Sequence, residues 1–239
     1  MMKKAFIFDI DDTIYDQQQA FQQAFENQNI QDSEKIDGSQ LYKLVREYGD
    51  ESFQDGFEQS KLRSMQIHRI QQALQDYKIT IDDNQALAFQ LDFEKFQEEI
   101  QLFPEVEQLF DTLTERKITV GIITNGTKEK QALKIKKLRL NQWISPENML
   151  ISEEVGVSKP NIRIFKTLEE KLTIRKENLY YIGDNFLNDI VGAQSAEWKT
   201  VWANYRDHQT TDETVIPDYV VESPRALLQT VKKLAAGMK

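Results

Sequence analysis

The order of strand-like and helix-like segments is the feature that most constrains the fold of this chain. Residues 5–8 form a short apolar run that indicates a buried strand, predicted over residues 4–8. Residues 17–101 are instead rich in Gln, Glu and Lys, with apolar side chains at helical spacing. The other strand-like runs all come later, so a helical block separates the first strand from strands of its own type. We therefore predict an α/β core domain, residues 1–16 and 102–239, interrupted by an inserted all-α cap domain, residues 17–101.

The segments of the resumed core alternate between short β-branched runs and amphipathic stretches. The predicted strands are residues 118–123, 149–151, 179–182, 200–202 and 219–221. The predicted helices are residues 128–138, 162–172 and 188–196 and a closing helix that begins at Pro224. Pro104 is expected to begin the helix at which the core resumes. Such alternation is typical of βαβ units and predicts a parallel sheet.

Two local signals mark helix ends inside the predicted cap. Gly49 is expected to end one helix, since glycine is common just past a helix C-terminus. Asp82 or Asp83 is expected to cap the N-terminus of the next helix, because a short acidic side chain accepts hydrogen bonds from the first free N–H groups.

Composition excludes several classes of protein. The chain has 239 residues, 40% of them apolar, and only nine glycines, which favours a compact globular protein. A net charge of −9 disfavours a nucleic-acid polymer as partner, and the charge run at residues 134–139 is expected to form a solvated helix face. The absence of cysteine excludes disulfides, a thiolate nucleophile and a zinc thiolate site. Since no apolar stretch reaches ~20 residues and no signal sequence is visible, we expect a cytoplasmic protein without membrane contact. Its oligomeric state is left open between a monomer and a homodimer.

Acidic residues follow two of the predicted strands. Asp9 and Asp11 come after the first strand, and Asp184 and Asp189 come after the strand at residues 179–182. Ligands of open parallel sheets bind at the carboxyl ends of the strands, so we expect these four carboxylates to converge. Like charges so close raise one another's pKa values, and a hard cation would relieve the conflict. Oxygen ligands without His or Cys point to Mg²⁺ as the cofactor.

Residues at the other strand ends suit a phosphate group. Thr124 and Asn125 offer side-chain donors, and Gly126 lets backbone N–H groups approach an anion at the start of a helix. Lys159, held in an extended segment by Pro160, adds a compact positive charge. Each feature alone is typical of an ordinary turn or a solvated lysine. Their combination predicts a phosphate-binding site for a small phosphorylated metabolite.

The two carboxylates after the first strand can divide the chemistry of phosphoryl transfer. Asp9, beside Mg²⁺ and Lys159, is expected to have a low pKa and to attack phosphorus, forming an aspartyl-phosphate. Asp11 is expected to protonate the leaving oxygen and then to activate water for the second step.

Four segments of the chain match, in order and spacing, the four motifs of the haloacid dehalogenase (HAD) superfamily, which the chain resembles over nearly its whole length. They are DIDDT at residues 9–13, TNG at 124–126, KP at 159–160 and GDNFLND at 183–189. In the last motif, Asn185 stands where relatives often carry a small hydroxyl residue. The resemblance implies a Rossmann-like, doubly wound parallel sheet with a helical cap inserted after the first motif.

The resemblance also implies a role for each site residue. It implies a nucleophile at Asp9, an acid/base at Asp11 and phosphate contacts from the TNG and KP motifs. It implies Mg²⁺ ligation by Asp9, by the Asp11 carbonyl and by Asp184. It further implies that Asp189 orients metal-bound water.

An aspartate at position 11 favours phosphatase over dehalogenase chemistry within this superfamily, because dehalogenation has no leaving oxygen to protonate. The segments 121–126 and 151–161 resemble the pyrimidine 5′-nucleotidase branch, although sugar-phosphate relatives are similar there too. We therefore predict an enzyme, a Mg²⁺-dependent phosphatase acting on a nucleoside 5′-monophosphate. The alternatives are a sugar-phosphate or phosphoglycolate phosphatase, a phosphomutase, or a non-catalytic module that binds a phosphorylated ligand.

Overall fold

The computed structural model describes residues 3–28, 30, 35–54, 61–210 and 212–237. The chain divides into two compact units, one made of Met1–Asp16 and Gln101–Lys239 and the other of Gln17–Ile100. Within the described ranges, none of the helices combines the length and the hydropathy that a membrane span requires.

The unit Gln17–Ile100 is helical. Its helices are α1 (Gln17–Asn27), α2 (Gly38–Gln54), α3 (Leu62–Asp76) and α4 (Asp83–Phe96). Aromatic residues fill its core, where the Phe21 ring lies 5.1 Å from the Tyr42 ring and 5.0 Å from the Phe89 ring. Burial of these large apolar side chains is the main stabilising contribution in a unit of this kind.

The two expected helix ends of this unit have different outcomes. Asp82 is the N-cap of α4, as predicted, and its carboxylate accepts a hydrogen bond from the Gln85 N–H at 2.8 Å. The Gln85 side chain accepts from the Asp82 N–H in return, which completes a capping box. The prediction for Gly49 is wrong, because α2 continues through this residue to Gln54. Glycine ends a helix when it adopts a left-handed conformation, and inside a helix it only lowers stability.

The other unit is built on a parallel sheet. In the described residues its strands are β1 (Ala5–Phe8), β2 (Thr119–Thr124), β3 (Met149–Ile151), β4 (Leu179–Gly183), β5 (Lys199–Ala203) and β6 (Tyr219–Val221). They lie in the order β3-β2-β1-β4-β5-β6, and every neighbouring pair is parallel. This arrangement confirms the predicted Rossmann-like, doubly wound α/β fold class.

Strand β1 lies at the point where the order of the strands reverses. Phe8 at its end is paired with Ile122 of β2 on one side and with Ile182 of β4 on the other. All four residues of β1 are fully buried, as is typical of a parallel strand covered on both faces. The residues that follow β1, β2 and β4 therefore meet at one crevice at the carboxyl edge of the sheet.

The helices of this unit are α5 (Pro104–Glu115), α6 (Lys128–Lys137), α7 (Ser152–Val155), α8 (Ile162–Leu172), α9 (Gly192–Ser195) and α10 (Pro224–Ala236). Pro104 and Pro224 each occupy the first turn of a helix, as expected, where the missing N–H carries no penalty. Between β4 and α9 the predicted helix 188–196 is instead a π-helical turn, Phe186–Val191, followed by the short α9.

Candidate active site

Asp9 is positioned by the central strand of the sheet. Its N–H donates to the Ile182 carbonyl at 2.8 Å, which continues the β1–β4 pairing by one residue beyond β1. The residue is 6% exposed. A buried carboxylate needs a partner, and the Lys159 Nζ lies 2.7 Å from the Asp9 Oδ1.

Three of the predicted acidic residues meet at this point. Among the described residues, one carboxylate oxygen each from Asp9, Asp184 and Asp189 lie within 4.8 Å of one another, and all three residues are buried. Asp184 follows β4 directly, and Asp189 is brought back towards the end of β4 by the π-helical turn. The Asn185 N–H donates to the Asp189 Oδ2 at 2.9 Å and helps to hold that carboxylate in place. This oxygen-only donor set fits a hard divalent cation such as Mg²⁺.

Lys159 is a buried cation shared by two of these carboxylates. Its Nζ lies 2.6 Å from the Asp189 Oδ1, 2.7 Å from the Asp9 Oδ1 and 3.0 Å from the Tyr181 hydroxyl. Burial by itself lowers the pKa of Lys159, but Asp189 and Asp9 together raise that pKa well above its ordinary value. Lys159 is therefore a permanent positive charge between two acids.

The pKa of Asp9 differs from the expectation. Burial raises it from 3.8 to about 6, although Lys159 acts to lower it, and the nearby Asp189 and Asp11 raise it further. The low pKa predicted for Asp9 is therefore wrong for the protein without a metal ion, because loss of hydration outweighs one lysine that Asp189 also shares.

Tyr181 belongs to the candidate site, although no sequence pattern indicated it. It lies in the middle of β4, where its aromatic ring is typical of a buried strand, and the ring packs 5.2 Å from the Phe165 ring. Its hydroxyl donates to the Ile123 carbonyl at 2.8 Å and lies within reach of the Lys159 Nζ. Burial raises the pKa of Tyr181 well above its usual range, so the hydroxyl stays neutral.

The TNG motif follows β2 and leads into α6. Gly126 has a φ of 145°, and a Cβ atom there would lie 2.7 Å from the Gln131 Nε2, so both the backbone and the space require glycine. The Thr124 hydroxyl is buried and donates to the Gln131 Oε1 at 3.2 Å. The Gly126 N–H donates to the Ser152 hydroxyl at 3.0 Å.

The side chain of Asn125 joins the TNG motif to the KP motif. Its amide donates to the Lys159 carbonyl at 3.0 Å and accepts from the Lys159 N–H at 2.9 Å. This amide was expected to contact phosphate, whereas in the structure it positions the backbone of Lys159. The contact partner, 34 residues away, is visible only in the folded chain.

Asp11 has a different environment from the other acidic residues. Its two carboxylate oxygens lie 2.6 and 2.8 Å from the Lys134 Nζ, and the Tyr15 hydroxyl donates to its Oδ1. The Gln131 amide lies 3.4 Å from its Oδ2. Four carboxylates were expected to converge, but the Asp11 side chain is drawn to Lys134 while Asp9, Asp184 and Asp189 form the close group.

Lys134 contradicts the expectation of a solvated face at residues 134–139. It is 6% exposed, whereas Lys136 and Lys137 on the same helix are exposed. A signal for this was present, since Lys134 shares the 3.6-residue period of the buried Gln131 and Leu138. A lysine within a charge run is nevertheless solvated in most helices, and its partner is 123 residues away in the sequence.

Asn185, the departure from the family pattern, has a structural role. Its side-chain oxygen accepts from the Asn188 N–H at 2.8 Å and caps the π-helical turn. The Trp202 indole N–H donates to the Asp184 carbonyl at 2.8 Å and fixes the loop from the other side. The loop that carries Asp184 is thus held at both ends.

Comparison with known proteins gives concordant results. The family model described as haloacid dehalogenase-like hydrolase matches residues 3–197. The chain is 33% identical over 136 residues to the glyceraldehyde 3-phosphate phosphatase of Methanopyrus kandleri, covering 56% of this chain and 58% of that protein. It is 34% identical over 115 residues to the pyrimidine 5′-nucleotidase YjjG of Escherichia coli, covering 48% of this chain and 50% of that protein. The chain thus spans about half the length of these curated relatives.

Among solved structures, the chain is similar to the HAD-hydrolase YfnB from Bacillus subtilis, which was crystallised bound to magnesium. The TM-score is 0.74 and the sequence identity 26%, over 97% of this chain and 99% of that one.

Proposed function

This chain belongs to the haloacid dehalogenase-like hydrolase family, and from that premise we propose that it is a Mg²⁺-dependent phosphatase that hydrolyses small phosphomonoesters through an aspartyl-phosphate on Asp9. One observation carries the proposal. The Asp9 carboxylate is buried at the carboxyl edge of the sheet, close to the Asp184 and Asp189 carboxylates and 2.7 Å from the Lys159 ammonium. This grouping supports Asp9 as the nucleophile, Lys159 as its cationic partner and the carboxylates as a set of cation ligands in one crevice.

The reaction proceeds in two steps. In the first, an Asp9 oxygen attacks phosphorus, the bond from phosphorus to the leaving oxygen breaks, and Asp11 gives its proton to that oxygen. In the second, water attacks the phosphorus of the aspartyl-phosphate, Asp11 takes a proton from the water, and Asp9 is released with inorganic phosphate. Asp9 is spent as nucleophile in the first step, so the proton transfers require a second carboxyl group.

Lys159 supports this chemistry electrostatically. It provides positive charge beside Asp9 where negative charge from the phosphoryl group accumulates, and its burial strengthens the interaction. The TNG motif lies at the end of β2, where we propose that its Thr124 hydroxyl and its backbone N–H groups receive the phosphoryl oxygens together with Lys159. Asn125 contributes by holding the Lys159 backbone.

The donor set of the site supports Mg²⁺ as cofactor. Asp9, Asp184 and the backbone carbonyl of Asp11 would hold the ion, and Asp189 would orient its water. When bound, Mg²⁺ offsets the carboxylate charge and withdraws negative charge from the phosphoryl oxygens. The YfnB crystal structure, which contains magnesium, supports the assignment by similarity.

Two classes of substrate are supported by specific similarities. A nucleoside 5′-monophosphate is favoured by the segments 121–126 and 151–161 and by the name of the E. coli relative, a pyrimidine 5′-nucleotidase. A triose phosphate is favoured by the name of the M. kandleri relative, a glyceraldehyde 3-phosphate phosphatase. We propose the nucleotide as the physiological class of substrate, with the sugar phosphate as the second candidate.

The test is phosphate release in Mg²⁺ buffer from p-nitrophenyl phosphate, nucleoside 5′-monophosphates, glyceraldehyde 3-phosphate and phosphoglycolate. Asp9→Asn keeps the size of the side chain and is expected to abolish turnover of every ester while the circular dichroism spectrum is unchanged. Glu115→Gln is the matched control, because Glu115 is exposed at the end of α5, which precedes the amino end of β2 in the chain. Turnover retained by Asp9→Asn would contradict the assignment of the nucleophile. Isomer formation without phosphate release would instead indicate a mutase, and binding without turnover a non-catalytic module.

A further inference from the structure

Lys134 is a buried cation that the proposed mechanism has not used. In the ion pair with Asp11, the Lys134 side chain is 7% exposed and the Asp11 side chain 18%. A lysine loses several favourable interactions with water when it is buried, and it is retained in such a place only with a close partner of opposite charge. The neighbouring Lys136 of the same helix is exposed, so the buried position of Lys134 is specific to this residue.

The helix that carries Lys134 begins at the TNG motif. The Thr127 side chain caps α6 by accepting from the Lys130 N–H at 3.4 Å. One turn into the helix, Gln131 accepts from the Thr124 hydroxyl at 3.2 Å and donates to the Asn125 carbonyl at 3.1 Å. These contacts fix the rotation of α6 about its axis, and that rotation directs the next residue on the same face, Lys134, at Asp11.

The contacts to Asp11 come from two directions. Lys134 and Gln131 approach from α6, and Tyr15 donates its hydroxyl from four residues further along the chain. Because Lys134 contacts both carboxylate oxygens, it restrains rotation of the carboxyl group as well as its position. A proton donor must lie within hydrogen-bond distance of the leaving oxygen, so such restraint bears directly on proton transfer.

We propose that Lys134 is a positioning residue for the acid/base Asp11, holding its carboxyl group in the orientation from which a proton passes to the leaving group. The inference rests on the proposed function, since it assigns Asp11 the proton transfers described above. Lys134 does not touch the reacting atoms, and no bond to it forms or breaks. The proton moves from Asp11 to the leaving oxygen in the first step and from water to Asp11 in the second.

A pair of esters that differ in their need for a proton tests this role. The p-nitrophenolate ion leaves readily as an anion, whereas phenolate leaves poorly unless it is protonated, and the two esters are otherwise alike in shape. For Lys134→Met we expect kcat/KM to fall about a hundredfold with phenyl phosphate and about threefold or less with p-nitrophenyl phosphate. Lys134→Arg, which keeps the charge and the donors, is expected to recover most of the loss with phenyl phosphate.

The double variant Lys134→Met with Asp11→Asn separates a role through Asp11 from a general structural role. If Lys134 acts through Asp11, adding Lys134→Met to Asp11→Asn changes kcat/KM no further. Lys136→Met is the matched control on the exposed face of α6. It is expected to leave kcat/KM unchanged for both esters. If Lys134→Met does not fold, Lys134→Gln takes its place in the same comparison.

The outcomes divide clearly. Equal losses with the two esters, or further loss on the Asp11→Asn background, would overturn the positioning role and leave the phosphatase proposal standing. Absence of wild-type turnover of both esters in Mg²⁺ buffer would overturn the phosphatase proposal and this inference together.

Discussion

Gly183 and Asp189 lie so close together that a Cβ atom on Gly183 would be 2.3 Å from the Asp189 carboxyl carbon. Gly183 ends β4, and the π-helical turn returns Asp189 to it. The glycine thus leaves the space into which the Asp189 carboxylate fits, 2.6 Å from the Lys159 ammonium. The position of the buried lysine next to Asp9 depends on this missing side chain.

Gly183→Ala is therefore expected to displace the Asp189 carboxylate. Overpacking of a closely packed site lowers the free energy of unfolding by about 1–3 kcal/mol, and phosphatase activity is expected to fall with it. Urea denaturation and phosphate release measure the two effects. Gly38→Ala is the control, because the nearest atom to its added Cβ, the Gln22 Cγ, is 3.8 Å away. Unchanged stability and activity in Gly183→Ala would contradict the close packing.

Removal of the buried lysine should leave two acids without their common partner. We expect Lys159→Met to abolish activity and to lower the free energy of unfolding by about 3–5 kcal/mol, because breaking a buried ion pair exposes the remaining charges to each other. Adding Asp189→Asn is expected to restore part of the stability but none of the activity. Urea denaturation in EDTA compares the free energies of unfolding of the single and double variants, because no divalent ion can then substitute for the lysine. A double variant no more stable than the single one would argue against charge repulsion as the cause.

The raised pKa of Asp9 predicts how stability changes with pH in the metal-free protein. Asp9 binds its proton more tightly in the folded state, with a pKa of about 6, than at the ordinary value of 3.8. Its contribution to stability is therefore complete below pH 3.8 and is lost as the pH rises to about 6. Since one pKa unit corresponds to about 1.4 kcal/mol, the loss is up to about 3 kcal/mol. Asp9→Asn carries no such charge and is expected to exceed the wild type in stability above pH 6 and to match it near pH 4. If the free energy of unfolding in EDTA had the same pH dependence in the wild type and in Asp9→Asn, the raised pKa of Asp9 would be refuted.

The same carboxylate predicts a pH dependence of Mg²⁺ binding. Protons and Mg²⁺ compete for the Asp9 oxygens, so the apparent affinity for Mg²⁺ is expected to weaken about tenfold per pH unit below the pKa of about 6. Thermal denaturation at several pH values measures this as a rise in Tm with Mg²⁺ that is large at pH 7.5 and fades below pH 6. Asp184→Asn is expected to lose most of this rise at every pH. A Tm increment independent of pH would place the ion away from Asp9.

Much of the fold and the approximate location of the site follow from local patterns in the sequence. The apolar run before Asp9, the β-branched run before Thr124 and the apolar and aromatic run before Asp184 predict parallel strands, and the doubly wound sheet confirms them. Residues that follow parallel strands share one edge of the sheet, so the candidate residues could be grouped without knowing any contact. The N-cap at Asp82 and the helix start at Pro104 were also predictable, because capping and helix-start signals act within a few residues.

The interactions inside the site were decided by packing between distant segments. The sequence alone placed Lys134 in a charged helix face, and only the folded chain brings it to Asp11. The pattern around Asn125 suggested a phosphate contact, whereas its amide holds the Lys159 backbone. Mg²⁺ and Lys159 were expected to lower the pKa of Asp9, but in the metal-free protein burial raises it.

Local patterns in the sequence thus specify the alternation of strands and helices, the α/β class and the set of residues at the carboxyl edge, because hydrophobic periodicity and strand ends are local properties. The tertiary structure alone decided which acid pairs with which lysine, how far each is buried and where the turn after β4 directs Asp189. These depend on hydration and Coulomb energy, which are set by every neighbouring segment at once and leave no pattern in any single one.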